Sequence, residues 1–192
     1  MIPDPKWRPD SGVIRDCACR GDIEGVKKCL ESGESIETRS SYGHLYETPL
    51  IVAADYGHYD LVKYLLRKGA DVNAVSKQGW TALIHACRNN DVKIIRLLVD
   101  HGAGMGRESD AWTPLTMCAR MGHLSSFTCL LDLGARLDVY TDYDAKYYAA
   151  EYGHYDIVRV IEDWEAKDTN GALLKKITSL LRLCCCAPPP YQ

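Results

Sequence analysis

The sequence predicts an all-α solenoid of helix-turn-helix units. Similar segments recur about every 33 residues, and within each segment the apolar residues fall at helical spacing. TPLIVAADYGHYDLVKYLLRKGADVN begins at Thr48, TALIHACRNNDVKIIRLLVDHGA at Thr81 and TPLTMCARMGHLSSFTCLLDLGA at Thr113. Upstream, CACRGDIEGVKKCLESGESIE sets Gly21 and Gly33 under Gly57 and Gly69; downstream, Gly153-His154-Tyr155-Asp156 repeats Gly57-His58-Tyr59-Asp60. Five units therefore occupy 10–168, as 10–46, 47–79, 80–111, 112–142 and 143–168, after an N-terminal segment 1–9.

Each element of a unit has a local cause. Thr48 caps the first helix through its hydroxyl, Pro49 fits the first turn where no amide donor is needed, and Gly57 supplies the left-handed turn that ends it. The second helix runs from Tyr59 to Lys68, with Leu61, Val62, Leu65 and Leu66 in one apolar stripe, and Gly69 stops it. The same columns hold Ile94, Ile95, Leu98 and Val99 in the third unit and Phe127, Leu130 and Leu131 in the fourth. Helices this short are marginal alone and must gain stability by stacking on their neighbours. Ala53, Ala54, Ala86, Ala119, Ala149 and Ala150 let them approach closely.

The pattern TPLxxAAxxGHxxxVxxLLxxGADVN, nearly complete from Thr48 to Asn73, resembles the ankyrin repeat. The resemblance implies an ankyrin-repeat solenoid of helix pairs with projecting finger loops. There are departures. Ile51, Ile84 and Thr116 stand where the family's histidine follows TPL, which puts its Thr-His hydrogen bonds in question. Asn90-Asp91 replaces Gly-His in the third unit, and Gly104-Met105-Gly106 in its finger predicts a looser loop. Glu162 and Glu165 fall in the columns of Leu66 and Gly69, which suits an end unit facing water.

In the architecture implied by this resemblance, the finger tips and the exposed side of each first helix line a concave, partner-binding face. The position before the repeat threonine reads Glu47, Trp80, Trp112 and Tyr143, so three large rings recur one per unit, about 10 Å apart along the groove. A second column holds Tyr56, Asn89, Met121 and Tyr152, preceded by Asp55, Arg88, Arg120 and Glu151. Trp and Tyr are the side chains most often decisive in interfaces. The candidate partner-binding residues are thus Tyr56, Trp80, Arg88, Asn89, Trp112, Arg120, Met121, Tyr143 and Tyr152, centred on Trp80, Trp112, Arg88, Arg120 and Met121. The rings are open to a second reading, as packing for the next finger.

Beyond the repeats, Leu173, Leu174, Ile177, Leu180 and Leu181 at helical spacing, with Lys175, Lys176 and Arg182 interleaved, predict an amphipathic helix over 169–183. It has two readings: burial of its leucine face on the fifth unit, or a membrane contact helped by acylation of Cys184, Cys185 and Cys186. In the Cys- and Pro-rich tail, 184–192, Pro188-Pro189-Pro190-Tyr191 resembles the PPxY ligand of WW domains, with Pro188, Pro189 and Tyr191 as the contact candidates.

Composition excludes other classes. Lys and Arg number 23 against 26 Asp and Glu, a net charge of −3 without a basic block, which argues against nucleic acid. Nine cysteines without paired spacing do not describe a disulfide framework, and no signal peptide or spanning apolar run is present, so a cytoplasmic protein is expected, peripheral at a membrane only through its tail. No metal site is expected: Cys17-x-Cys19 lacks a second pair, and His58, His123 and His154 sit one unit apart. His85 and Cys87, offset by two on a helix, point apart and read as repeat interior, and no phosphate loop occurs. The sequence thus predicts a cofactor-free, non-catalytic adaptor that binds one or more proteins, with a membrane-tethered scaffold as the alternative.

Overall fold

A computed structural model describes residues 13–39, 46–106, 112–137 and 144–167, which form ten α-helices and no strand among the described residues. They pair as α1 (Val13–Arg20) with α2 (Ile23–Glu31), α3 (Pro49–Asp55) with α4 (Tyr59–Arg67), α5 (Ala82–Arg88) with α6 (Val92–Asp100), α7 (Pro114–Met121) with α8 (Leu124–Asp132), and α9 (Ala145–Glu151) with α10 (Tyr155–Lys167). The odd-numbered helices make an inner layer and the even-numbered ones an outer layer. Neighbouring inner helices approach one another more closely than neighbouring outer ones. A stack so built curves towards its inner layer, and that side is its concave face. The tail candidates and the 169–183 segment lie outside the described residues.

Capping follows the repeat. Thr48, Thr81 and Thr113 each accept a hydrogen bond from the backbone N–H three residues on, and Asp144 does the same for α9. Ile51 and Ile84 are buried, while Thr116 closes a reciprocal box by accepting from the Thr113 N–H at 2.8 Å. The family's threonine–histidine bond is thus replaced here by a hydroxyl pair in one unit and by apolar burial in two.

The core is one continuous column rather than a centre. Leu50, Leu83 and Leu115 repeat in the inner layer, and Leu65, Leu98, Leu130 and Ile161 in the outer, all buried. Each such side chain contributes about 2 kcal/mol on leaving water. Phe127, the chain's single Phe, is fully buried in the column of Val62 and Ile95. Cys17 and Cys118 share the Ala53 column and Cys87 the Ala54 column, and all three are buried. Ala150 is exposed, whereas Ala54, Cys87 and Ala119 in the same column are each buried under the following unit.

A second set of ties runs between units. The Nε2–H of His58 donates to the Cys19 carbonyl at 2.9 Å, that of His123 to Arg88 at 2.9 Å, and that of His154 to Arg120 at 3.1 Å. Each ring therefore spans one interface. In the third unit, where Asp91 replaces the histidine, the corresponding Asp55 carbonyl accepts from the Asn89 side-chain amide instead. Asn90 takes the left-handed turn at φ 57° and accepts from Ser126, while Asp91 caps α6. The finger residue Asn73 donates to Gly102 and accepts from the Gly104 N–H at 2.8 Å, so the glycine-rich third finger is held where it leaves the helix.

At Gly122 two demands coincide: φ is +72°, and an added Cβ would stand 2.5 Å from the His154 ring. Gly69 has φ +87° with nothing within 4 Å. Gly69→Ala is expected to cost about 1–2 kcal/mol for the backbone alone, and Gly122→Ala about 2–4 kcal/mol through added loss of the His154 bond. Urea denaturation of the two variants checks the order; equal losses contradict it.

Candidate functional site

The concave face is built from positions that recur at the base of the fingers and at the end of each inner helix. The residue before the capping threonine is fixed by the finger's return to the stack, and the helix then brings the residue eight positions later back beside it. In the third unit this pairs Trp80 with Arg88, whose guanidinium lies 5.6 Å from the ring centroid. In the fourth it pairs Trp112 with Arg120 at 4.9 Å. The same Arg120 lies 5.6 Å from the Tyr152 ring of the fifth unit, and Trp112 packs on Tyr148 at 5.1 Å. Each contact of this kind contributes about 0.5–1 kcal/mol at a partly exposed site.

Both tryptophans are half-buried, which leaves part of each ring on the surface. Each ring packs on the arginine of its own unit and on an inner-helix ring, His85 for Trp80 and Tyr148 for Trp112. Tyr56, Met121 and Tyr152 are 49%, 42% and 49% exposed, and Asn89 is exposed in the same column. This column recurs once per unit, at the C-terminal end of each inner helix. Tyr143 lies outside the described residues, as do Pro188, Pro189, Tyr191, Cys184, Cys185 and Cys186.

A charged cluster under Trp80 escaped sequence reasoning. Glu47, in the column that elsewhere carries rings, is 5% exposed. Its carboxylate lies 3.7 Å from Arg15 of the first unit and 4.0 Å from Nε2 of His85. His85 is buried, donates from Nδ1 to Asp55 at 2.9 Å and meets the edge of Trp80 at 5.4 Å. Arg88 also donates to Asp55. Three units therefore meet beneath Trp80: Arg15 pairs with Glu47, Asp55 holds both His85 and Arg88, and Glu47 stands near His85 Nε2, which has no hydrogen-bond partner among the described residues. A readable signal existed: Asp55 and Arg88 are opposite charges in one column, a single repeat apart.

Electrostatics follow from this geometry. Burial tends to raise the Asp55 carboxyl, but the hydrogen bonds and charges of His85 and Arg88 outweigh it and hold the group below its ordinary value. The buried thiols go the other way. Burial pushes Cys29 up to about 11, Cys87 well up, with Cys118 beside it adding to the effect, and Cys129 up as well. A neutral thiol is a packing atom and a poor nucleophile. Among the described residues no cluster of His, Cys, Asp or Glu is arranged to hold a metal ion, and no helix is long and apolar enough to cross a membrane.

Residues 14–109 match the family model described as ankyrin repeats (3 copies). Similar proteins include the Probable E3 ubiquitin-protein ligase XBOS33 of Oryza sativa subsp. japonica, 40% identical over 41% of this chain and 15% of its own length. The Ankyrin repeat protein nuc-2 of Neurospora crassa is 29% identical over 74% of the chain and 13% of its length, and the human M-phase phosphoprotein 8 is 42% identical over 42% and 9%. The chain thus spans less than one sixth of each of these relatives.

Two outcomes are expected. Because the folded Asp55 carboxyl ionises below its unfolded counterpart, its stabilising effect is complete above the unfolded value near pH 4 and is lost as pH falls through the folded value. Urea midpoints taken from pH 5 to pH 3 should therefore fall less steeply in Asp55→Asn than in the parent chain; parallel slopes contradict the pairing. Peptide-resolved alkylation at pH 8 should leave Cys29 and Cys87 unlabelled in the native chain and label both in urea.

Proposed function

The chain belongs to the ankyrin-repeat family, and from that premise we propose that it is a non-catalytic adaptor whose concave face holds a partner protein. Ankyrin repeats are protein-binding repeats; the proposal is which surface binds and how. The observation that carries it is the column of Tyr56, Asn89, Met121 and Tyr152, exposed in four successive units beside the Trp80–Arg88 and Trp112–Arg120 pairs. Large half-exposed rings held by arginine are costly to leave in water and lose little freedom when covered, the property of interface anchors. Trp80, Trp112, Arg88, Arg120 and Met121 form the centre, and Tyr143 is added to the proposal from its sequence column alone.

Some relatives carry the words E3 ubiquitin-protein ligase in their names, as XBOS33 does, but only a segment of each corresponds to this chain. By analogy the repeats hold a protein for an activity located elsewhere, and we assign no catalytic centre to them. The tail supplies two further proposals resting on sequence. Pro188, Pro189 and Tyr191 are a ligand for a WW-domain protein, and Cys184, Cys185 and Cys186 are acylation sites for peripheral attachment to a membrane. The location proposed is cytoplasmic.

Proximity labelling in cells separates these surfaces. Met121→Glu/Tyr152→Glu changes exposed side chains only, so the melting temperature should stay within a few degrees while concave-face partners fall at least about tenfold. Pro188→Ala/Tyr191→Ala should remove a different set. Partners indifferent to the first variant contradict the concave-face assignment. Acyl-exchange labelling of a Cys184→Ser/Cys185→Ser/Cys186→Ser chain tests the attachment, which an unchanged signal rules out.

A further inference from the structure

The outer layer near the end of the stack holds a cleft between α8 and α10, lined by Thr128, Leu131 and Asp132 from one helix and Val160, Asp163 and Trp164 from the other. On each helix these are positions i, i+3 and i+4, so each gives one face to the cleft. Leu131, Val160 and Trp164 are half-buried and Asp132 and Asp163 exposed, which makes an apolar floor with an acidic rim. Leu66, in the same repeat column as Leu131, is only 8% exposed, so this column is less covered in the fourth unit than in the second.

The far side of the fifth unit, the last among the described residues, offers a poorer seat for an apolar segment. The column that holds Leu50, Leu83 and Leu115 in earlier units holds Lys146 here, and its ammonium pairs with Glu162 at 3.4 Å and Glu165 at 3.2 Å. Charges joined in this way face water and replace the leucine contacts by which a further unit would attach.

We propose that residues 173–182 of this chain occupy the cleft between α8 and α10 as an amphipathic helix. Leu173, Leu174, Ile177, Leu180 and Leu181 form a single stripe on such a helix, matched to the floor of Leu131, Val160 and Trp164. Lys176 falls on the flank of that stripe, about 90° from its centre, and meets the acidic rim. Lys175 and Arg182 fall on the far side and keep it wet. The tether is long enough. Five residues, 168–172, separate the end of α10 from Leu173, and the six Cα–Cα steps across them reach about 20 Å, against about 10 Å of helix between Val160 and Lys167. Thr169-Asn170-Gly171 supplies turn chemistry for the reversal. Seated there, the segment leaves the concave face open and directs Pro188–Tyr191 from the outer side, so a reader of the tail does not compete with a concave-face partner.

Hydrogen exchange with mass spectrometry on the full chain, at two protein concentrations tenfold apart, tests the assignment. Amides of 173–182 should be protected at both concentrations, and Asp163→Lys or Lys176→Glu alone should speed their exchange at least tenfold. The combined charge exchange should restore protection, which a merely misfolded variant does not do. Four results overturn the proposal: no protection in the parent chain, protection indifferent to both single changes, single changes that the combination does not rescue, or protection that needs high protein concentration or vesicles of anionic phospholipid.

Discussion

Every feature of this chain depends on the interface between successive units. The inner helices are seven or eight residues long and the outer ones mostly nine, lengths at which an isolated helix barely forms in water. A single pair has nowhere to put Leu50, Leu61 and Leu65 except against its neighbour. The stack is the smallest arrangement in which each unit's apolar stripe finds a partner, and small residues such as Ala53, Ala86 and Ala119 set how near that partner comes.

The candidate site inherits its geometry from the same interface. His123 and His154 grip the backbone carbonyls of Arg88 and Arg120, the two arginines that lie over Trp80 and Trp112. The hydrogen bond that joins units thus also fixes the backbone from which each of these arginine side chains leaves. Beneath Trp80, the Glu47–His85–Asp55 cluster ties the second unit to the third and, through Arg15, to the first. Buried charge of this kind adds little net stability but penalises any register in which partners are lost.

Much of this was legible in the residues. The helix pairs, the threonine caps and the glycine turns follow from local chemistry that repeats in phase, and the phase itself locates the columns of Trp80 and Tyr56. The buried cluster was not legible in the same way. Its members are single departures from a column, Glu47 among rings and His85 among Val52 and Met117, so no periodicity announces them. The pairing of rings with arginines was missed for a related reason: both columns were visible, but an offset of eight residues crosses from finger to helix end, where helical spacing says nothing about contact. The substitution of Asn89 for a histidine in holding the Asp55 carbonyl was likewise invisible, since Asn90-Asp91 reads only as a lost motif.

The most direct test of the account is residue-resolved hydrogen exchange of an Ile95→Ala chain. Ile95 is fully buried in the third unit's outer helix, and its truncation weakens the stacking on both sides. If stability resides in the interfaces, protection falls in α3, α4, α7 and α8 as well as in α5 and α6. If protection falls in α5 and α6 alone while the neighbours keep theirs, the units are self-sufficient and the account is wrong.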